Sequence, residues 1–158
     1  MNDELRGMKK GVTMTELVIV VAVVLILTAI AFQGVSSFRD SSILAKAADD
    51  AGNIIKDARS RTLSSVRASS YGVRFATSSI TLFQGSAYVA NDPSNEILNL
   101  PGLVQVSSIN LTASSSSIVF ARLTGQPAAT GTVTLLLERT PSKTKKIIIR
   151  SSGLYEIQ

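Results

Sequence analysis

Hydrophobic and polar positions divide the chain into three stretches with different periods. Residues 12–32 are almost continuously apolar, and Glu16 is the one charged residue among them. Over residues 33–70, apolar residues recur every three or four positions as far as about Thr62, which predicts an amphipathic helix. Residues 71–158 alternate apolar and polar positions in short runs, as β-strands do. The pattern predicts an α+β fold in which one long N-terminal helix packs on a C-terminal antiparallel β domain.

The alternating runs define the candidate strands of the C-terminal domain. They lie at residues 71–75, 80–83, 103–111, 118–123, 132–138, 146–150 and 154–157. Residues 76–79 separate the first two runs and predict a hairpin. Pro141 lies in a predicted turn over residues 139–144, and residues 91–101 are predicted to be an irregular loop. The spacing predicts a largely meander-like antiparallel sheet.

The apolar run is long enough to cross a membrane as a helix. Its 21 residues, 12–32, would extend about 31 Å, close to the roughly 30 Å thickness of a bilayer core. Arg6, Lys9 and Lys10 precede it, so the positive-inside rule predicts that the C-terminal domain lies outside the cytoplasm. Glu16 is costly in such a span, by about 2.5–3.5 kcal/mol at the bilayer centre and less toward its surface. The carboxylate therefore needs a partner.

Three interpretations of this N-terminus compete. A secretory signal peptide would be cut near Ala29 and Ala31, but Glu16 places the wrong charge at the start of its apolar region. An uncleaved single-pass anchor explains the length and leaves Glu16 unexplained. A short basic leader, residues 1–11, cut on the cytoplasmic side after Gly11 would make Val12 the new N-terminus.

The third interpretation agrees with a family signature. The sequence KKG followed by VTMTELVIVVAVV resembles the type IV pilin and type II secretion pseudopilin family, whose leader ends in a basic residue and glycine and whose fifth mature residue is glutamate. Glu16 is fifth counting from Val12, although the family usually has Phe at the first mature position. The resemblance implies that a prepilin peptidase cuts after Gly11 and methylates the amine of Val12. It also implies that Glu16 supports filament assembly, beside the buried amine of a neighbouring subunit.

Weaker motifs look most like the GspH/FimT type of minor pilin or pseudopilin. They are the run Ala58-Arg59-Ser60, the run YGVRF at residues 71–75, and Ser152-Gly153 between the last two strands. The resemblance implies a single-pass precursor in the bacterial inner membrane that later joins a pilus or a pseudopilus with other subunits. It divides the chain into a leader at 1–11, a membrane and filament-core helix at 12–32, an amphipathic helix and linker at 33–70, and a β domain at 71–158.

Composition argues against catalysis and leaves a nucleic-acid alternative. The chain has no His and no Cys, so the commonest general base and the soft metal ligands are missing, and we expect neither an enzyme nor a cofactor. The net charge is +5, and the candidate DNA contacts are Lys143, Lys145, Lys146 and Arg150. DNA-binding members of the FimT type resemble one another in a Gly-Arg-x-Arg run. This chain has GLYE at residues 153–156 instead, which disfavours DNA binding.

One loop has the oxygen ligands that hard cations prefer. Asn91, Asp92, Asn95 and Glu96 concentrate them within six residues. Because the spacing lacks the glycine and carboxylate pattern of an EF-hand, a polar surface loop is the favoured interpretation over a calcium site.

Overall fold

The structure, a computed structural model, describes residues 11–112 and 115–158, and for residues 31–36 it describes the backbone alone. Most of the predicted leader, residues 1–10, lies outside the described residues. The chain divides into two compact units, Met1–Arg39 and Asp40–Gln158.

One helix, α1, runs over Met14–Leu63, which confirms the predicted long N-terminal helix and its end near Thr62. From residue 44 onward it buries one stripe of mostly small side chains: Leu44, Ala47, Ala48, Ala51, Ile55 and Ala58. Alanine favours the helix and lets its backbone come close to the sheets. The buried Thr62 hydroxyl donates to the Ala58 carbonyl at 2.8 Å and accepts from the Tyr71 amide at 2.9 Å. This side chain joins the end of the helix to the first strand.

The strands of the described residues form two four-stranded antiparallel sheets. They are β1 Tyr71–Phe75, β2 Ser79–Gln84, β3 Glu96–Asn99, β4 Val104–Leu111, β5 Ser117–Val119, β6 Gly131–Leu137, β7 Thr140–Ile149 and β8 Tyr155–Ile157. One sheet has the order β3-β2-β1-β5 and the other β4-β6-β7-β8. The predicted β1–β2 hairpin is confirmed. The prediction of a single meander-like sheet is wrong: the strands form two sheets, and β5 pairs with β1 rather than with a strand next to it in sequence.

Three local expectations also need correction. The loop predicted over residues 91–101 contains β3, which pairs with β2. The turn predicted over residues 139–144 is shorter, since Glu138 and Arg139 make the turn and β7 begins at Thr140. Pro141 is tolerated there because the β6–β7 register shifts at this point, where a missing N–H breaks no regular ladder bond.

The strand predicted over residues 118–123 ends early. β5 stops at Val119, Phe120 makes an isolated bridge to Pro127, and Leu123 adopts a φ of 71°. A backbone in the left-handed region cannot continue a strand, so the chain turns here.

The hydrophobic core belongs entirely to the second unit. Its buried residues begin at Leu44 on the helix and continue through both sheets to Ile149 on β7. Phe75, Phe120, Leu135 and Ile147 are at most 1% exposed. Searched over the described residues, the structure contains no helix both long and apolar enough to cross a membrane.

Candidate assembly site

The start of the described chain, which includes the first turns of α1, carries many exposed apolar side chains. From Val12 to Ile30, the large apolar side chains are between 49% and 82% exposed. An exposed patch of this extent is unusual for a soluble monomer, where it marks an interaction surface. The exposed apolar side chains of the first unit therefore form a candidate interaction surface.

Thr13 caps the start of this helix. Its Oγ1 accepts a hydrogen bond from the Glu16 amide at 3.2 Å, and its carbonyl accepts one from the Leu17 amide at 3.1 Å. Thr13 and Glu16 thus occupy the first and last positions of a Thr-x-x-Glu capping sequence. The sequence analysis did not use this role for Thr13, although the three-residue spacing before an apolar run is the signal that would have found it.

Glu16 lies exposed in the first turn of the helix, where the helix dipole favours a negative charge by about 0.3–1 kcal/mol. Its carboxylate forms no ion pair with any residue that the structure describes. Gly11, Val12 and Glu16 lie at the same end of the chain, within one turn of the helix start. An ammonium group from another chain could approach this carboxylate. The cleavage, methylation and assembly roles of the three residues stay predictions.

The four basic residues suggested for DNA contact do not share one face. Lys143 and Lys145 have the same parity on β7 as the buried Ile147 and Ile149, and the Lys143 ammonium donates to the hydroxyl of Ser41 on the helix at 2.9 Å. Lys146 has the opposite parity and is exposed. Because side chains of a strand alternate between faces, the structure separates this cation from the other two.

Arg150, the fourth candidate, is engaged locally. Its guanidinium pairs with the Glu156 carboxylate across the turn between β7 and β8. The hydrogen bond from Arg150 holds the pKa of Glu156 below its usual value. The four residues therefore do not form one basic surface: Lys143 and Lys145 share a face of β7, Lys146 lies on the other, and Arg150 is paired with Glu156.

In the loop before β3, the Asp92 carboxylate and the Asn95 amide nitrogen make local hydrogen bonds. Asp92 accepts a hydrogen bond from the Ser94 amide at 2.8 Å and another from its hydroxyl, and these bonds lower the pKa of Asp92. Asn95 donates to the Val89 carbonyl at 2.9 Å. Within the described residues, no three Asp, Glu, His or Cys side chains are grouped so that they could hold a metal ion.

An ion-pair cluster that the sequence analysis did not find ties the end of α1 to the edge strand β3. Arg61 pairs with Asp57 on the preceding turn at 2.7 Å and with both oxygens of the Glu96 carboxylate. The hydrogen bond to Glu96 raises the pKa of Arg61 further above its ordinary value and lowers the pKa of Glu96. The Asp57–Arg61 spacing of four residues was visible in the sequence, but the pairing with Glu96 depends on the fold.

Comparisons with known proteins identify the fold class. No family model matches the chain, and no curated protein matches its sequence. Among solved structures, the chain is similar to the type IV minor pilin FimU of Pseudomonas aeruginosa in two crystal forms. The TM-scores are 0.56 and 0.52 at 11% identity, and the matches cover 77% and 73% of this chain and 92% of FimU. The protein therefore has a type IV pilin-like fold.

Proposed function

We propose that this protein is a minor pilin or pseudopilin of the GspH/FimT type, with a role in assembly rather than catalysis. The observation that carries the proposal is the run of exposed apolar side chains from Val12 to Ile30, at the start of a chain with a pilin-like fold. Such a surface is stable in a membrane or against the same helix of other subunits, and a pilin uses both environments in turn. In this proposal, the Glu16 carboxylate near the start of the helix sets how far one subunit is displaced along its neighbour, because it pairs with the neighbour's N-terminal amine.

In this proposal the precursor is held in the bacterial inner membrane by residues 12–32 until a prepilin peptidase removes residues 1–11. Removal of the leader takes away Arg6, Lys9 and Lys10, so the helix can leave the bilayer lengthwise. The new amine at Val12 is methylated and comes to lie beside Glu16 of a neighbouring subunit. A buried carboxylate paired with an ammonium is compensated, whereas a lone one is not.

The intact mass of the mature protein tests the proposal. Loss of residues 1–11 together with the gain of one methyl group on Val12 is the expected result. The matched control is the same protein from cells without a prepilin peptidase, which should keep its full length and lack the methyl group. A mature chain that begins after Ala31, or an unprocessed chain in peptidase-containing cells, would overturn the proposal.

A DNA-binding minor pilin of an uptake apparatus is the alternative function. What supports it is the exposed Lys146 and the net positive charge of the chain. Against it stand the ion pair that engages Arg150 and the placement of Lys143 and Lys145 on the face of β7 that carries Ile147. A gel shift of duplex DNA that weakens with salt and is lost in Lys146→Gln would support the alternative.

A further inference from the structure

We infer that a basic pocket in the second unit binds an acidic and apolar segment of a neighbouring filament subunit. The pocket has a volume of about 450 Å³ and lies between the last turns of α1 and the start of β8. It is lined by Lys56, Arg59, Ser60, Leu63, Ser64, Gly153, Leu154 and Tyr155. This inference rests on the proposed function, because it takes another subunit as the partner.

The charge of the pocket selects an anionic partner. Lys56 and Arg59 contribute two positive charges, and its lining contains no carboxylate. Lys56 is exposed and forms no ion pair in the described part of the chain. The hydroxyls of Ser60 and Ser64 add hydrogen-bond donors to the same wall. A carboxylate bound in the pocket would have two cations and two hydroxyls among the lining residues.

Arg59 is fixed in place before any partner arrives. Its Nε donates to the Gly125 carbonyl at 3.2 Å and its Nη2 to the Ser152 carbonyl at 3.4 Å. A guanidinium has five N–H donors, so these two bonds orient the group and leave others for a ligand. A charged group that is already oriented loses little entropy on binding.

Close backbone contacts maintain the shape of the pocket. Gly153 has a φ of 78°, and a Cβ at this position would lie 2.2 Å from the Gly125 oxygen. A Cβ on Gly52 would lie 2.4 Å from the ring of Tyr155, so this ring packs directly on the helix backbone. These contacts hold the turn after β7 against the Gly125 backbone, and β8 against α1.

Apolar groups beside the pocket define the other part of the ligand. Leu63 is 39% and Leu154 58% exposed at its edge. Leu63 and Leu154 therefore give the basic pocket an apolar edge.

The size of the pocket favours a peptide segment over a small anion. Ligand pockets have volumes of about 300–1,000 Å³, and a single phosphate would leave most of this one empty. Two adjacent side chains, one acidic and one apolar, fill it better. A pilin-like fold supplies such a partner, since pilins assemble with other subunits.

Binding of small probes tests the chemistry of the pocket. The probe is the dianionic N-acetyl-Leu-Asp, added to the full-length isotopically labelled protein in detergent and followed by NMR. We expect saturable shifts at Ser60, Ser64 and Leu154, and affinity at least about fivefold weaker for the neutral N-acetyl-Leu-Asn amide. Equal binding of the two probes would overturn the inference. So would full displacement of the dianionic probe by inorganic phosphate at equal ionic strength, which would define a simple anion site.

Matched variants connect the binding to the named residues. Lys56→Gln should weaken binding of the dianionic probe about threefold, and Leu154→Ser should weaken it by a similar factor. Arg139→Gln removes the same charge from an exposed turn outside the pocket and should change nothing. Unchanged binding in both Lys56→Gln and Leu154→Ser would contradict the inference even if the probe binds.

A filament assay separates this inference from the proposed function. Lys56→Glu should lower the share of the protein in sheared filaments about fivefold, while the intact mass still shows cleavage after Gly11. Normal cleavage together with normal incorporation would reject the pocket and leave the pilin proposal standing. Absence of cleavage in the unmodified chain would reject the pilin proposal itself.

Discussion

Glu16 stabilises the start of α1 in the structure, and we propose that its carboxylate also pairs with another subunit. Its amide hydrogen bonds to the Thr13 hydroxyl and its charge lies at the favourable end of the helix dipole, so it stabilises the start of α1. Its exposed carboxylate is also free of ion pairs within the described residues. Local capping and pairing with another subunit make different demands, because capping needs the backbone and a short acceptor, whereas pairing needs the negative charge.

We predict that Glu16→Ala leaves membrane insertion intact and lowers incorporation into filaments at least about tenfold, since breaking a buried charge pair costs about 3–5 kcal/mol. Glu16→Gln, which keeps the size and hydrogen-bonding ability of the side chain, should be impaired almost as much. The measurement is the ratio of filament-associated to membrane-associated protein. Thr13→Val is the control that removes the cap and keeps the charge. A normal ratio in Glu16→Gln would assign Glu16 to capping alone.

Among the glycines near the proposed pocket, Gly153 is the one whose replacement should lower the free energy of unfolding most. Gly153→Ala would place a Cβ 2.2 Å from the Gly125 oxygen in a left-handed conformation, and we predict a loss of about 2–3 kcal/mol in the free energy of unfolding. Gly102→Ala is the matched control, because a Cβ there meets nothing within 4 Å. Denaturant unfolding of both variants checks the difference. Equal stability of the two would show that the turn adjusts freely.

At the scale of elements, the sequence predicted which segments form the helix and strands better than how the strands pair. The period-2 pattern of residues 71–75 and 132–138 depends on local burial, so β1 and β6 were predicted nearly correctly. Pairing depends on contacts distant in the chain. The Phe120 amide donates to the Tyr71 carbonyl and the Val106 amide to the Thr77 carbonyl, and no local pattern encodes such bonds.

Among the candidate sites, too, those that depend on local spacing could be predicted from the sequence, and the one that depends on distant contacts could not. The register of Gly11, Val12 and Glu16 is a property of spacing, so it could be proposed from sequence. The separation of Lys145 from Lys146 also follows from strand parity and could have been predicted once β7 was assigned. The pocket around Arg59 could not, because it depends on Gly125 and Ser152 carbonyls that lie far from the helix in sequence.

The ion pair between Arg61 and Glu96 predicts a pH dependence for the attachment of β3. Folding lowers the pKa of Glu96, so the ionised carboxylate stabilises the folded protein fully at a pH above its unfolded pKa of about 4.3. This stabilisation is lost as the pH falls through the lower pKa of the folded state. Because the pair is partly exposed to solvent, we expect it to add only about 0.5 kcal/mol to the free energy of unfolding, or roughly 1–3 °C to Tm. Glu96→Gln should lower Tm by this amount at pH 7 and by nearly nothing at pH 3.

The control for this pH prediction is Glu138→Gln. Glu138 is an exposed residue of the β6–β7 turn and forms no ion pair within the described part of the chain. Its replacement should shift Tm little at either pH. A difference between wild type and Glu96→Gln that persists unchanged at pH 3 would mean that the Glu96 side chain acts through packing rather than charge.

At the scale of the whole molecule, the two units differ in what stabilises them. The buried core runs from Leu44 to Ile149 and lies within the unit Asp40–Gln158. The described large apolar residues of the first unit, from Val12 to Ile30, are exposed and contribute nothing to that core. Folding of the second unit is therefore expected to be independent of the first.

We predict that a fragment comprising residues 40–158 folds cooperatively and remains monomeric without detergent, because it retains every residue of the core and begins with Asp40, a favourable N-cap for the shortened helix. Denaturant unfolding followed by circular dichroism and sedimentation velocity would check this. A fragment that starts at residue 60 is the contrasting control, since it loses Leu44, Ala51 and Ile55 and leaves the inner faces of both sheets uncovered. That fragment should be unfolded or aggregated. A non-cooperative transition or dye-binding expanded state in the 40–158 fragment would show that the apolar N-terminal helix also supports the fold of the β domain.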